Sequence, residues 1–388
     1  MKLLFVHDHP FYRDLDNVVY TGGSFPKQLW SNYLINFDKI LVYGRNSKSL
    51  KSKNGVSSTT GVCFHLTEKY TSVSNLLKNK KGVERELTNL INQADVVLTR
   101  LPSVLGFIAA NIAIKKNKKL WVEQVGNAKE ALGTHGSLLG KIVAPIFEFQ
   151  NKKIVRKANF VSYVTENKLQ KDYPSTKGGT TVALSDVIIR SILNEKDLEK
   201  ERFFGKIFRI GLIGGFDARY KGQDVLLKAI SLLNDEIKRN IKICLVGKGD
   251  YAWILETATK LNLIDNIEFI GVLESGNQIN EFLATLSLYV QPSLTEGMPR
   301  ATIEAMAMGC PVIGSNVGGI PDIVSEKFVH RKENSKELAG HIQRLFLDRK
   351  LLQSESVLSL EKVQPYLKEN LDKKRLAFYV KMNKDLTK

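Results

Sequence analysis

The sequence predicts an α/β protein made of two doubly wound domains that face a cleft. Three observations predict it. Short apolar, β-branched runs alternate with helix-like stretches, and the alternation runs through once and starts afresh near residue 207. The chain has 388 residues, enough for two cores of ordinary size. Its 43% hydrophobic and 25% charged residues are the balance of a folded chain, which removes fibrous and disordered classes.

In the first half the strand candidates are residues 2–7, 39–44, 96–100, 120–125 and 160–165. The opening MKLLFVHDHP meets His7 and Asp8 too soon for a signal peptide, and the longest apolar stretch, 104–114, is too short to span a bilayer, so a cytoplasmic protein is expected. Gly22 and Gly23 follow the first strand and precede FPKQLWSNYLI, so their N–H groups are placed either to face a phosphate or an acceptor or simply to turn a loop. Glu123, Gln124 and Asn127 end the fourth strand, and His135 sits in a THGS turn. These, with Asp8, are polar groups where a ligand could be met; strand-end polar groups also serve to satisfy backbone. From 137 to 158, Leu138, Leu139, Ile142, Val143 and Ile146 form an apolar stripe beside Lys141, Lys152, Lys153, Arg156 and Lys157. Such a stripe either faces a core or lies on an anionic membrane.

Residues 185–206 are charged and without strand pattern, and serve as the linker. The second half brings strand candidates at 208–214, 241–247, 267–271, 288–291 and 311–315. From Lys362 onward, Leu367, Leu371, Leu376 and Tyr379 recur in a charged background, as in an amphipathic helix. The domains are therefore 1–185 and 186–361, with 362–388 as a terminal helix.

Charge is uneven. Residues 1–185 carry 27 basic and 13 acidic side chains against 30 and 27 in the remainder, so nearly all of the formal +17 lies in the first half. A solvated basic face is one reading; attraction to an anionic membrane or a lipid-linked phosphate is the other. No helix-turn-helix, zinc-finger or RNA-recognition signature is present, so nucleic acid is not expected as a partner. Cys63, Cys244 and Cys310 are far apart, without metal-ligand spacing, and read as buried hydrophobes. No metal site is expected.

The densest chemistry lies in SLTEGMPRATIEAMAMGCP, 293–311. A buried strand, 286–291, ends at Pro292; Pro299 suits a first helical position, and Gly309 with Pro311 stops the helix. Glu296 then sits in the loop at the carboxyl end of a strand and Glu304 about one turn into the helix. Such glutamates either complement the helix dipole or hold vicinal hydroxyls, while the N–H groups of Gly297 and Met298 are free for a phosphate or sugar. Upstream, GLIGGFDARYKG delivers Arg219 and Lys221 just before a helix beginning near Gln223, where cations could clamp a diphosphate. LVGKGD contributes Gly247, and SNVGGIPDIV brings Gly318, Gly319 and Pro321.

Taken in order, these segments resemble the retaining glycosyltransferases of family 4, whose signature SxxEGxPxxxxEAMAxGxPVI is matched from Ser293 through Ile313. The match spans roughly residues 211–324, and the combination is far more specific than any one motif. The resemblance implies the GT-B fold, with the last helix crossing back to the first domain, and transfer of a sugar from a nucleoside diphosphate sugar to an acceptor hydroxyl. It implies that Glu304 binds the ribose, that Glu296 with the 297–299 backbone, Met298 and Pro299 included, binds the hexose, and that Lys221 binds the diphosphate. Gly22, Gly23, Gly215 and Gly247 would lend backbone to the donor. It implies no cofactor and no metal. Two departures stand out. The family usually has an arginine six residues before the lysine, where this chain has Gly215, so Arg219 would have to substitute; and many relatives end the fourth strand with a histidine that is absent here, which makes Glu123, Gln124 and Asn127, followed by His135 and Asp8, the candidate acceptor contacts. The basic first half points to a glycan or lipid-linked acceptor, in cell-surface polysaccharide synthesis, with peripheral membrane association. The competing readings are a nucleotide-sugar epimerase or phosphorylase of the same fold, and a non-catalytic subunit.

Overall fold

The computed structural model describes residues 1–22, 24–48, 55–133, 138–176, 179–217 and 219–387, apart from the side chains of Val73 and residues 131–141. Gly23 and His135 lie outside the described residues.

Two sheets carry the fold. In the first, seven parallel strands stand side by side in the order Val62–Thr67, Lys39–Asn46, Lys2–Arg13, Val96–Leu101, Lys119–Gln124, Phe160–Tyr163, Thr180–Ala183. In the second, six parallel strands run Ile267–Gly271, Ile241–Val246, Phe208–Ile213, Leu288–Gln291, Val312–Ser315, Val329–His330. Their central strands read as continuous apolar runs because helices cover both faces; Leu3 through Val6 and Leu288 through Val290 have no exposed surface. In each sheet chain order reverses beside the first strand, and loops leaving the carboxyl ends there open a crevice suited to ligands.

The first strand does not stop at residue 7. Its register against Lys39–Asn46 shifts between Val6 and Pro10, and it continues to Arg13, where it pairs antiparallel with Val19–Thr21. The expected linker is also less solvated than its charge suggests. Arg202, in the short helix Glu201–Phe204, is buried and donates to the carbonyls of Leu286, Met308 and Leu283 at 2.9, 2.8 and 3.3 Å. A guanidinium can be buried when carbonyls satisfy its fork.

The terminal helix Lys368–Leu386 lies on the first sheet. Phe378, Tyr379 and Met382 join a core with Trp30, Phe37 and Trp121, and Tyr379 Oη donates to Asn32 O at 2.8 Å. Burying each such side chain stabilises the fold by roughly 1.5–3 kcal/mol. Leu376, read from the sequence as part of the apolar face, is half-exposed instead; the inward face is set by Leu371, Phe378, Tyr379 and Met382. Cys244 and Cys310 are buried, whereas Cys63 is half-buried. No helix among the described residues is long and apolar enough to cross a membrane.

Candidate active site

The site forms where the loop after Phe208–Ile213 meets the loop after Leu288–Gln291. Leu294 donates its backbone N–H to Tyr220 O at 2.7 Å, tying the two loops together. Between them Gly222 adopts φ +79°, and a Cβ there would stand 2.1 Å from Pro292 O, so only glycine allows this approach. The helix Gln223–Ser231 starts at once, and Lys221 ends the turn before it. The lysine stem lies across Gly214, where a Cβ would come within 2.7 Å of Lys221 Cγ.

Lys221 Nζ reaches Glu296 Oε1 at 2.7 Å. The same oxygen accepts Ser293 Oγ at 2.8 Å and Gln291 Nε2 at 3.2 Å. Behind it, Gln291 Nε2 donates to Ser293 Oγ and Tyr289 Oη donates to Gln291 Oε1, both at 2.7 Å. Tyr289, Gln291 and Ser293 are buried, so this chain of donors holds one oxygen of Glu296 and leaves Oε2 without a partner among the described residues.

Glu304 lies in the helix Arg300–Ala307. Burial raises its carboxyl above the usual range, opposed by Arg300, and the carboxylate has no hydrogen-bond partner among the described residues. Both glutamates belong to one neighbourhood. Burial first, and then the charges of Glu296 and Glu304, hold the Tyr289 phenol well above its ordinary value, with the Ile213 N–H acting against them. Pro299 is the residue that caps this helix rather than its first member, because its ψ of 99° is still extended. The N–H groups of Gly297 and Met298 find no protein acceptor among the described residues, so they remain available at the helix entrance. A Cβ on Gly215 would meet Lys248 O at an ordinary contact of 3.7 Å, and its carbonyl accepts Gln223 Nε2 at 3.3 Å, while Gly247 lets the next loop approach, since a Cβ there would lie 2.1 Å from Gly214 O.

Arg219 is not brought to this group. Its guanidinium lies over the Trp253 ring at 4.8 Å, and its charge acts on Glu256 of the helix Ala252–Lys260. Lys221 is therefore the cation facing Glu296.

The acceptor-side candidates are more dispersed. Glu123 accepts Tyr33 Oη at 2.9 Å and meets Arg100 at 3.5 Å, within a cavity of about 60 Å³ bounded by the first sheet, residues 184–188 and the terminal helix. Burial raises its carboxyl, with Arg100 opposing. Asn127 Oδ1 accepts the N–H groups of Lys129 and Glu130, a helix-cap geometry, and Gln124 is buried against Gly126 O. Asp8 accepts Val104 N at 2.6 Å and Leu105 N at 2.7 Å, capping the helix Val104–Lys115. Gly22 borders open space after Val19–Thr21.

Residues not singled out from sequence also shape the cleft. Asp322, in the GGIPD segment, accepts Asn167 N at 2.8 Å and Lys168 N at 3.1 Å from the first domain. Gly297 abuts that domain as well, since a Cβ there would lie 2.7 Å from Val125 O. The sequence signal for Asp322 was its place beside the two glycines, and for Gln291 its polar side chain at the end of an apolar strand. Among the described residues no group of three or more His, Cys, Asp or Glu side chains is placed to hold a metal ion.

The chain is similar to known proteins. Residues 207–348 match the family described as glycosyl transferases group 1. Protein CapJ of Staphylococcus aureus is 35% identical, over 99% of this chain and 97% of its own length. The capsular polysaccharide biosynthesis glycosyltransferase CapH of the same species is 39% identical over 25% of this chain and 27% of its own. Among solved structures, Anabaena Alr3699/HepE in complex with UDP superimposes with a TM-score of 0.66 over the whole of both chains at 16% identity. The paired sheets, the loops at their switch points and the full-length relationship to CapJ lead to one assignment: the chain belongs to the glycosyl transferases group 1 family and is a glycosyltransferase of the GT-B fold.

Proposed function

We propose that the protein transfers a sugar, with retention of anomeric configuration, from a nucleoside diphosphate sugar to a hydroxyl of a glycan or lipid-linked acceptor, in the assembly of a cell-surface polysaccharide such as a capsule. The observation that carries the donor side is the Lys221–Glu296 pair at the entrance of the helix Arg300–Ala307, beside the unpaired N–H groups of Gly297 and Met298. A cation, a carboxylate oxygen and free amides converge on one crevice, the set that a diphosphate and adjoining sugar hydroxyls require. The names of two relatives support the reading: CapH acts in capsular polysaccharide biosynthesis, and HepE binds UDP.

In this reading Lys221 Nζ moves from Glu296 towards the diphosphate and stabilises the charge that grows on it as it leaves. Glu296 Oε2 takes a hydroxyl of the transferred sugar, and Glu304 takes the ribose hydroxyls. The acceptor oxygen forms its bond to the anomeric carbon on the face from which the diphosphate departs. The bond from that carbon to phosphate breaks, and the departing phosphate oxygen accepts the acceptor's proton. No side chain need act as base, and the reaction needs no cofactor, because the lysine and helix entrance supply the stabilisation.

The test is thermal-shift measurement against uridine, guanosine and adenosine diphosphates and their sugars, followed by anomer-resolved product analysis. A ligand that binds the folded state raises the melting temperature by mass action. The reading predicts stabilisation by one base class and an α-linked product from an α-linked donor; an inverted product would overturn the stereochemical part, and no response to any nucleotide would overturn the donor site.

A further inference from the structure

We infer that the outer face of the helix Leu138–Lys157 docks the protein on an anionic membrane surface. Of the stripe read in the sequence, Ile142 and Ile146 turn out to face away from the core. They are 72% and 56% exposed, and Phe149 is 69% exposed. These positions are spaced i, i+4, i+7 and so share one face. The same face continues with the exposed side chains of Lys153, Arg156 and Lys157. The helix is already anchored by its other side: Ala144, Ile154 and Val155 are buried, and Phe147 meets Phe107 edge-on at 5.2 Å. The fold therefore has no need of the outward apolar side chains.

Charge selects the occupant. The single acidic residue of this helix, Glu148, is turned inward, where Tyr173 Oη donates to it and Lys152 pairs with it at 2.9 Å. The outward face is thus apolar at one end and purely cationic at the other, over about 16 Å from Ile146 to Lys157. In the same helical layer, the exposed side of Val73–Gln93 adds Lys78, Lys81 and Arg85, with Lys80 set against Glu84 at 3.9 Å. A second copy of this chain would set like charges against each other, whereas a bilayer with anionic headgroups receives both ends of such a helix lying in its plane. Location fits a working surface. The apolar end follows the helix Ala128–Gly133, whose Glu130 is close enough to the second domain to feel the charge of Lys332. The docked face would then adjoin the rim of the cleft.

This inference stands apart from the transfer reaction, since vesicle binding needs neither donor nor acceptor and its failure would leave the donor reading intact. The experiment is co-sedimentation of the full-length protein with phosphatidylglycerol-rich and purely phosphatidylcholine vesicles, at low and high salt, with light scattering in parallel. The wild-type protein should bind the anionic vesicles, and more weakly at high salt. The triple variant Ile142→Ser, Ile146→Ser, Phe149→Ser, altered only at exposed positions, should keep its circular dichroism and melting temperature but bind at least about tenfold more weakly. The variant Lys153→Gln, Arg156→Gln, Lys157→Gln should lose the preference for anionic lipid. Absence of wild-type binding, or unchanged binding by the apolar triple variant, would overturn the proposal. So would a wild-type dimer that the apolar variant converts to a monomer, because the face would then be an interface between copies.

Discussion

Lys221 and Glu296, 75 residues apart in the chain, form a partly buried ion pair at the junction of the two switch-point loops, with Nζ 2.7 Å from Oε1. Under the proposed donor role each group would also compete with the donor for the other: without the lysine the carboxylate would face the diphosphate unopposed, and without the carboxylate the lysine would be free but a hydroxyl contact would be lost. Lys221→Ala should lower kcat by about 10²–10³, the range seen when one preorganised charge-stabilising donor is lost. Glu296→Ala should act comparably, and the double variant should be far less impaired than the product of the two, since they share one interaction. Steady-state kinetics on the four proteins measures the coupling, and strict additivity would mean that the pair does not operate as a unit.

Glu296 owes its orientation to residues that never reach solvent. Tyr289 Oη holds Gln291 Oε1, which turns the Gln291 amide so that its N–H groups face Ser293 and Glu296. Tyr289→Phe should cost about 1–2 kcal/mol of stability, the range for a buried acceptor left short of a donor, and lower kcat/KM about threefold to tenfold. Gln291→Met should be worse kinetically. Neither change should add to Glu296→Ala if both act through that carboxylate. An equal further loss in the Glu296→Ala background would instead indicate a general disturbance of the loop.

The strand, loop and helix that carry Glu296 and Glu304 were legible because they obey local rules. Strand Leu288–Gln291 is apolar and bounded by Pro292, the helix begins after Pro299, and glycines mark each loop that must approach another backbone. Some strands missed, Val19–Thr21, Gly55–Val56 and Val329–His330, are two or three residues long and too short to show a period. Val62–Thr67 and Thr180–Ala183 were missed as well, and these stand at the two ends of the parallel row, where their side chains are mostly only half-buried and no continuous apolar run marks them. Arg219 is expected as a second phosphate ligand because it shares the loop with Lys221 and the family's usual upstream arginine is replaced by Gly215. Its partner, Trp253, lies 34 residues on, and an aromatic face is an alternative partner for a guanidinium. Arg202 shows the same limit in reverse: a charged residue in a charged stretch is buried because three carbonyls converge on it from elsewhere in the chain.

Glu304 should trade stability for binding. Burial raises its carboxyl pKa in the folded protein, so over the interval between the unfolded and folded values the folded state holds more protons. Stability from this group is therefore full below the unfolded pKa and is lost as pH rises through the folded one. Once ionised, Glu304 is a half-buried carboxylate without a hydrogen-bond partner among the described residues, which under the proposed donor role a ribose would relieve. Glu304→Gln should raise the melting temperature of the free protein slightly, by about 1–2 °C at pH 7 and not at all near pH 4. It should also weaken nucleoside diphosphate binding about tenfold to a hundredfold, as for loss of a charged hydrogen bond. Melting curves across that pH range and calorimetric titration test both halves, and a variant that is less stable at neutral pH would contradict the sign.

Asp322 should control how firmly the cleft is held. One carboxylate oxygen accepts two N–H groups from Asn167 and Lys168, so a residue of the second domain caps the helix Lys168–Asp172 of the first. Hydrogen bonds to a charged acceptor contribute about 1.5–3 kcal/mol each, enough to move a two-state opening equilibrium tenfold or more. Asp322→Ala should enlarge the radius of gyration in solution scattering and lower kcat, while leaving nucleotide affinity nearly unchanged, because the loops proposed to hold the donor, around Lys221 and Glu296, lie within the second domain. Asp322→Asn keeps an acceptor oxygen without the charge and should fall between the two. If Asp322→Ala weakened donor binding without changing the scattering profile, the aspartate would be shaping the donor loop through Gly318 and Gly319, not holding the domains together.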